Sequence, residues 1–137
     1  MTTFVDTNVI IYLLDSTSKF HSWAKTIATK RRTEGPLIVS DIVYSEISMS
    51  LNSVEHTDEV LNSLALERIG FTKDALFRAG RAFAEYRRRG GPKTNVLSDF
   101  LIGAQAETAG APLLTNNRKD FISYFPSVEL IEPTPVP

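Results

Sequence analysis

The chain has 137 residues, with no cysteine, two histidines, and fifteen basic against sixteen acidic side chains. This is the composition of one ordinary globular domain with a sizeable core, not of a disordered or fibrous chain. It excludes a disulfide framework, a thiolate zinc site and a thiol nucleophile, and no apolar run approaches the roughly 20 residues that cross a bilayer.

The opening residues, Met1 to Asp6, lack the basic and long apolar regions of a signal peptide, so a cytoplasmic location is expected. Thr3, Phe4 and Val5 read as a short strand ending at Asp6. Residues 8–14 read as a largely buried helix, interrupted by Asp15 and Ser16. A second helix is expected over 21–32, with Trp23, Ile27 and Ala28 at helical spacing and Gly35 as its stop. Leu37, Ile38 and Val39 form a compact apolar strand, and Ser40 is placed to cap a helix over 41–51. Thr57 is expected to cap a short helix to 64, and 67–71 reads as a third strand. A long helix over 72–89 has Ala75, Leu76, Ala79, Phe83 and Tyr86 as its apolar positions, and Gly90-Gly91-Pro92 ends it. The next helix begins near Asn95 or Ser98 and ends before Gly110. A strand over 112–114, a turn or short helix over 118–124 and a last strand over 128–131 complete the domain, residues 1–132. Residues 133–137 are expected to be a flexible proline-rich tail in the polyproline II conformation.

Short apolar strands alternating with helices call for a mainly parallel sheet covered on both faces. Ligands of such sheets bind beyond the carboxyl ends of the strands. The polar residues just after strands are Asp6-Thr7-Asn8, Ser40-Asp41 and Thr115-Asn116-Asn117.

Several carboxylates stand in apolar company, where an uncompensated charge costs several kcal/mol. Asp6 lies between Phe4-Val5 and Val9-Ile10-Ile11. Asp99 opens a segment, 96–106, that is apolar almost all round, and shares a face with Gly103 and Ala106, where a backbone or a ligand could come close. Glu46 shares a face with Ile42 and Met49. Each has a plain structural use as a helix cap, a dipole partner or a boundary acid, and Asp120 reads most simply as an exposed capping acid. At one end of a sheet, however, Asp6, Glu46 and Asp99 could not all stay ionised without a cation. All-oxygen ligands suit Mg²⁺ or Mn²⁺, and the chemistry that uses such a site is phosphodiester hydrolysis.

The stretch from Lys73 to Lys93 holds seven basic residues against two acidic ones. Its local net charge is +5, against −6 for the rest of the chain. It reads either as a solvated helix face or as a phosphate-contacting surface. His21 and His56 have no ligand-like spacing and read as surface or boundary residues. Tyr12, Trp23, Phe83 and Tyr86 read as core or dimer contacts rather than base-stacking platforms.

The opening Phe4-Val5-Asp6-Thr7-Asn8-Val9-Ile10-Ile11 resembles the first motif of PIN domains, in particular the VapC-type toxins of bacterial toxin–antitoxin pairs. Ser45-Glu46-Ile47 stands where that family has its second acid. Residues 98–106, from Ser98-Asp99-Phe100, resemble the third motif, and 113–121, around Thr115-Asn116-Asn117 and Asp120, the fourth. The match runs in the right order over nearly the whole chain. It implies a three-layer α/β/α fold with a sheet of four to five strands. It also implies a Mg²⁺- or Mn²⁺-dependent endoribonuclease that is a homodimer and is held inactive by a cognate antitoxin. Asp6, Glu46 and Asp99 match the first three acids. Many members carry Asp where this chain has Asn117, so either Asp120 serves the site or a fourth carboxylate is missing; an amide orients a ligand but supplies no charge.

The resemblance places Thr7 and Thr115 as hydrogen-bonding supports, with Asn8 and Asn117 beside them. Asp6 and Asp99 are assigned to the metal. Glu46 and Asp120, or Asn117, are assigned to the attacking water or a second ion. Arg87, Arg88, Arg89, Lys93, Arg118 and Lys119 are assigned to the RNA backbone, a contact that carries affinity but no sequence choice. Asp6→Asn is then expected to abolish cleavage with little loss of stability. Two alternatives stand: a degenerate, non-catalytic PIN module that binds RNA or protein, and another Mg²⁺-dependent phosphohydrolase. A phosphatase would want an aspartate at Asn8, and a phospho-receiver one after the third strand.

Overall fold

A computed structural model describes residues 1–93 and 96–133. Its elements are β1 (Thr3–Val5), α1 (Thr7–Leu14), α2 (His21–Glu34), β2 (Leu37–Ser40), α3 (Asp41–Ser48), α4 (Val54–Ser63), β3 (Leu66–Ile69), α5 (Lys73–Arg88), α6 (Leu97–Ala109), β4 (Leu113–Leu114), α7 (Arg118–Ile122) and β5 (Leu130–Ile131). The five strands form one sheet in the order β3-β2-β1-β4-β5, and every pairing is parallel. With helices on both faces this is a three-layer α/β/α fold. The strands are apolar because both faces are covered. Every residue of β1 and β2 is buried. Phe4, Val9, Ile10, Leu37, Leu113 and Phe121 belong to one continuous core; a fully buried side chain of this size contributes about 1.5–3 kcal/mol.

β1 is the hub. Phe4 pairs with Ile38 of β2 on one side and with Leu113 of β4 on the other. From β1 the chain builds outward through β2 to β3, then crosses back to β4 and β5. Right-handed crossovers therefore place α1–α4 on one face and α5–α7 on the other. The order reverses between β1 and β4, and the crevice beyond their carboxyl ends is the switch point where ligands of open α/β sheets bind.

Local chemistry explains most boundaries. Ser40 Oγ accepts from Val43 N at 3.1 Å, and Thr72 Oγ1 accepts from Ala75 N at 3.1 Å, each capping a helix start. The cap of α4 is Ser53, not Thr57: Ser53 Oγ accepts from His56 N at 3.0 Å. Thr57 is buried one turn further in and donates its hydroxyl to the Ser53 carbonyl. α3 stops at Ser48, three residues short of the expected end, and Met49 beyond it is 84% exposed. On α5 the buried positions are Ala75, Ala79 and Ala82, whereas Leu76 and Phe77 are exposed. The small alanines let α5 lie close along α6. Phe83 and Tyr86 are partly buried against the core, as are Tyr12 and Trp23. His21 and His56 are at the boundary. A helix start at Asn95 and the tail beyond residue 133 lie outside the described residues. No helix among the described residues is long and apolar enough to cross a membrane.

Candidate active site

Asp6 is the first residue after β1, and its position makes it both a cap and a buried carboxylate. It is only 4% exposed. Three donors meet it: Thr7 N at 2.8 Å, Thr115 Oγ1 at 2.7 Å and Asn8 Nδ2 at 3.2 Å. Thr115, the first residue after β4, is itself fully buried and accepts from Asn117 N at 3.0 Å. Asn8 Oδ1 accepts from Asn116 N at 3.1 Å, and Asn116 donates to the Tyr12 hydroxyl at 2.9 Å. The segments after the two central strands are thus stitched together across the switch point, and the stitch is anchored on Asp6. Burial pushes the Asp6 carboxyl above its ordinary range; the three hydrogen bonds oppose that rise, and the charge of Glu46 adds to it.

Glu46, on α3, accepts from Thr7 Oγ1 at 2.8 Å. One residue of the first turn of α1 therefore orients the second acid while its backbone amide binds the first. Asp99 sits in the first turn of α6 and Asp120 in that of α7. Burial, followed by the negative charges of Asp120, Asp6 and Glu46, pushes Asp99 up to about 7. The four acids drawn from α1's cap, α3, α6 and α7 thus share one electrostatic neighbourhood. Among the described residues, no group of three or more His, Cys, Asp or Glu side chains is arranged to hold a metal ion between them.

Asp99 and Asp120 open onto a cavity of about 340 Å³ that Lys93, Lys119, Tyr86 and Tyr124 also line. Asn117 is exposed and lies on a neighbouring cavity with Asn116, Arg118 and Lys119. Asp120, not Asn117, is therefore the fourth-motif side chain that faces Asp99. The basic residues divide. Lys93 and Lys119 reach the cavity, whereas Arg118 pairs with Glu132 at 2.8 Å. Arg88 and Arg89 both pair with Glu85, and Arg87 Nη1 donates to the Gly91 and Pro92 carbonyls. Asp41, after β2, lies outside the site, in an ion pair with Arg68 at 2.7 Å. Gly103 does not make room for a ligand: a Cβ there would stand 2.5 Å from the Phe125 ring, so the small residue admits a core aromatic.

Sequence reasoning did not find Tyr124, nor Tyr86 as a lining residue. The only signal was spacing: Tyr124 is one helical turn beyond Asp120, and Tyr86 directly precedes the arginine run.

A family model described as the PIN domain matches residues 3–124. No curated protein matches the sequence. The fold resembles a chain of VapBC2 from Rickettsia felis, solved bound to a DNA fragment from its promoter, with 24% identity, a TM-score of 0.69, and coverage of 96% of this chain and 98% of that one. It also resembles a chain of VapBC-1 from nontypeable Haemophilus influenzae, with 22% identity, a TM-score of 0.71 and the same coverage. VapC20 of Mycobacterium tuberculosis, a sarcin-ricin loop cleaving toxin, is 17% identical with a TM-score of 0.53 over 80% of this chain and 84% of that one.

Proposed function

Because the chain belongs to the PIN domain family, we propose that it is a Mg²⁺- or Mn²⁺-dependent endoribonuclease, the toxin of a toxin–antitoxin pair, and that it acts in the cytoplasm. The observation that carries this reading is that Asp6, Glu46, Asp99 and Asp120 lie about the switch point, where burial first and then the charges of the other three raise the Asp99 carboxyl. The donor set is entirely oxygen, which suits a hard ion. Mg²⁺ keeps several waters and needs only one or two carboxylates, so the site does not require three acids around one ion. Asp99, whose carboxylate has no hydrogen bond among the described residues, and Asp6 would hold it directly or through water. When bound, the ion would activate water and stabilise charge on the phosphorus oxygens.

The chain's own residues supply the rest. Asp6, fixed by three hydrogen bonds, keeps one carboxylate in a constant position. Glu46, held by Thr7, and Asp120 position the attacking water. Lys93 and Lys119 hold the flanking phosphates, and Arg87, Arg88, Arg89 and Arg118 contribute a more distant positive field. The likeness to VapBC complexes supports an antitoxin as partner, and that to VapC20 supports RNA as substrate. The exposed Ile11 and Leu14 of α1 and Leu76 and Phe77 of α5 offer apolar area for an antitoxin and for a second copy of the chain.

The test is incubation of total RNA with the protein in Mg²⁺, Mn²⁺ or EDTA, followed by mapping of the cut ends. Cleavage is expected with either ion, none in EDTA, and none in the Asp6→Asn, Asp99→Asn double variant. Metal-dependent cleavage that survives in the double variant would remove the site. Asn117, an amide where many relatives carry an acid, favours one other reading, a non-catalytic binding module. That reading requires metal-independent RNA or protein binding and no cut ends under any condition.

A further inference from the structure

The cavity beside Asp99 and Asp120 has an aromatic wall. Phe100 is buried behind it, with its ring 5.1 Å from that of Tyr124 and 5.7 Å from that of Tyr86. Tyr86 is committed to the loop after α5. Its hydroxyl accepts from Lys93 N at 3.1 Å, its carbonyl accepts from Gly91 N at 2.9 Å, and its ring lies so close to Gly91 that a Cβ there would come within 2.4 Å. Tyr86 therefore positions Lys93. Tyr124 is differently placed: it is partly exposed, it lines the cavity, and its hydroxyl has no hydrogen bond among the described residues. The Arg89 guanidinium stands 5.8 Å from its ring centre. Among the described residues neither Lys93 nor Lys119 is in an ion pair.

An aromatic ring with a spare hydroxyl, in a cavity that two lysines and two acids also line, is what an unpaired nucleotide needs. Bases freed from a helix stack on aromatic faces and are read at their edges, while lysines meet the phosphates. At about 340 Å³ the cavity is at the lower end of ligand pockets, roughly 300–1,000 Å³, which suits one base rather than a base pair. We propose that this cavity is a nucleobase subsite for single-stranded RNA, in which a base next to the scissile phosphate stacks on Tyr124 and meets its hydroxyl, with Lys93 and Lys119 on the adjoining phosphates. The subsite rests on the nuclease reading for its place beside the scissile bond.

Binding of a fluorescein-labelled single-stranded RNA to the whole protein, read by anisotropy in EDTA, tests the subsite without catalysis. Tyr124→Ala is expected to weaken binding about 5- to 140-fold, the size of one lost base–aromatic stack. Tyr124→Phe should retain most of the affinity but blur the preference among bases. Tyr124→Ala should leave the salt dependence unchanged, whereas Lys119→Ala should reduce its logarithmic slope by about 0.7. Abasic nucleotides, introduced one position at a time and bound to the unaltered protein, should reproduce the loss at a single position. Folded Tyr124→Ala protein that binds as tightly as the parent, or an abasic series with no sensitive position, would overturn the subsite; if Tyr124→Ala does not fold, the abasic series decides alone. Base-dependent binding without metal-dependent cleavage would keep the subsite and remove the nuclease assignment. Cleavage without base-dependent binding would do the reverse.

Discussion

Replacing Asp99 by Asn should make the metal-free protein more stable at alkaline pH and leave it nearly unchanged below about pH 4. The Asp99 carboxyl titrates at about 7 when folded, against an ordinary value of 3.8. Between those values the native state binds more protons than the unfolded chain, so its stability falls as pH rises through that window. Full conversion of the displacement would give about 4 kcal/mol. The side chain is only half-buried, and screening reduces this to roughly 1–2 kcal/mol. Asn keeps the shape and removes the charge, so it should recover that amount at pH 8, or roughly 4–8 °C in Tm for a domain of this size. Thermal melts of both proteins in EDTA at about pH 4 and pH 8 measure it. Adding Mg²⁺ at pH 8 should raise the Tm of the parent and not that of Asp99→Asn, because a ligand that binds only the native state stabilises it. If the stability difference between the two proteins is the same at about pH 4 and at pH 8, the Asp99 charge is not what the fold opposes. If Mg²⁺ raises both melts equally, Asp99 does not hold the ion.

Burial pushes the Asp6 carboxyl up as it does that of Asp99, but at Asp6 the hydrogen bonds revise the expectation that the amide variant costs little. In Asp6→Asn a terminal NH₂ would meet the donors of Thr115 or Asn8, so a loss of about 1–2 kcal/mol in urea unfolding is expected at neutral pH; an unchanged midpoint would show that the network yields freely. Thr115→Val removes both the donor to Asp6 and the acceptor of Asn117 N, and should cost about 1–3 kcal/mol by the same measurement. Ala65, between α4 and β3, has φ of 55°. Ala65→Gly should therefore stabilise the fold by up to about 1 kcal/mol, the left-handed penalty less the added chain entropy of glycine; a lower Tm would refute the strain.

The acids were legible for a reason that does not extend to the rest of the site. A carboxylate among Val, Ile and Phe is anomalous within a window of ten residues, and the expense of burying it is local enough to be seen without knowing the fold. That holds for Asp6 and for Asp99. The fold class was legible because buried parallel strands read as short apolar runs. The cap of α4 was misassigned because Ser53 and Thr57 are one turn apart and both can accept from a backbone amide; burial, which depends on neighbours far along the chain, separates them. The arginine run is a similar case. Charge density locates a basic surface, but only geometry shows that Glu85 engages Arg88 and Arg89 while Lys93 is carried on by Tyr86.

What no window could show is how two unlike demands are reconciled at the switch point. A cation site needs carboxylates that repel one another, and repulsion pushes a fold apart. This chain separates the two roles by burial. Asp6 is held rigidly by Thr7, Asn8 and Thr115, so part of the negative charge is balanced by fixed dipoles and serves the architecture. Asp99 and Asp120 receive no such help among the described residues and face the open cavity instead, where the proposed cation and RNA would reach them. A site built only of Asp6-like acids would be fixed in place and unreceptive. One built only of Asp99-like acids would bind a cation strongly but would lose stability as pH rises from about 4 towards 7. The opposite responses expected of Asp6→Asn and Asp99→Asn are the measurable consequence of that division, and finding both variants shifted in the same direction would mean that the four acids act as a single charge cluster.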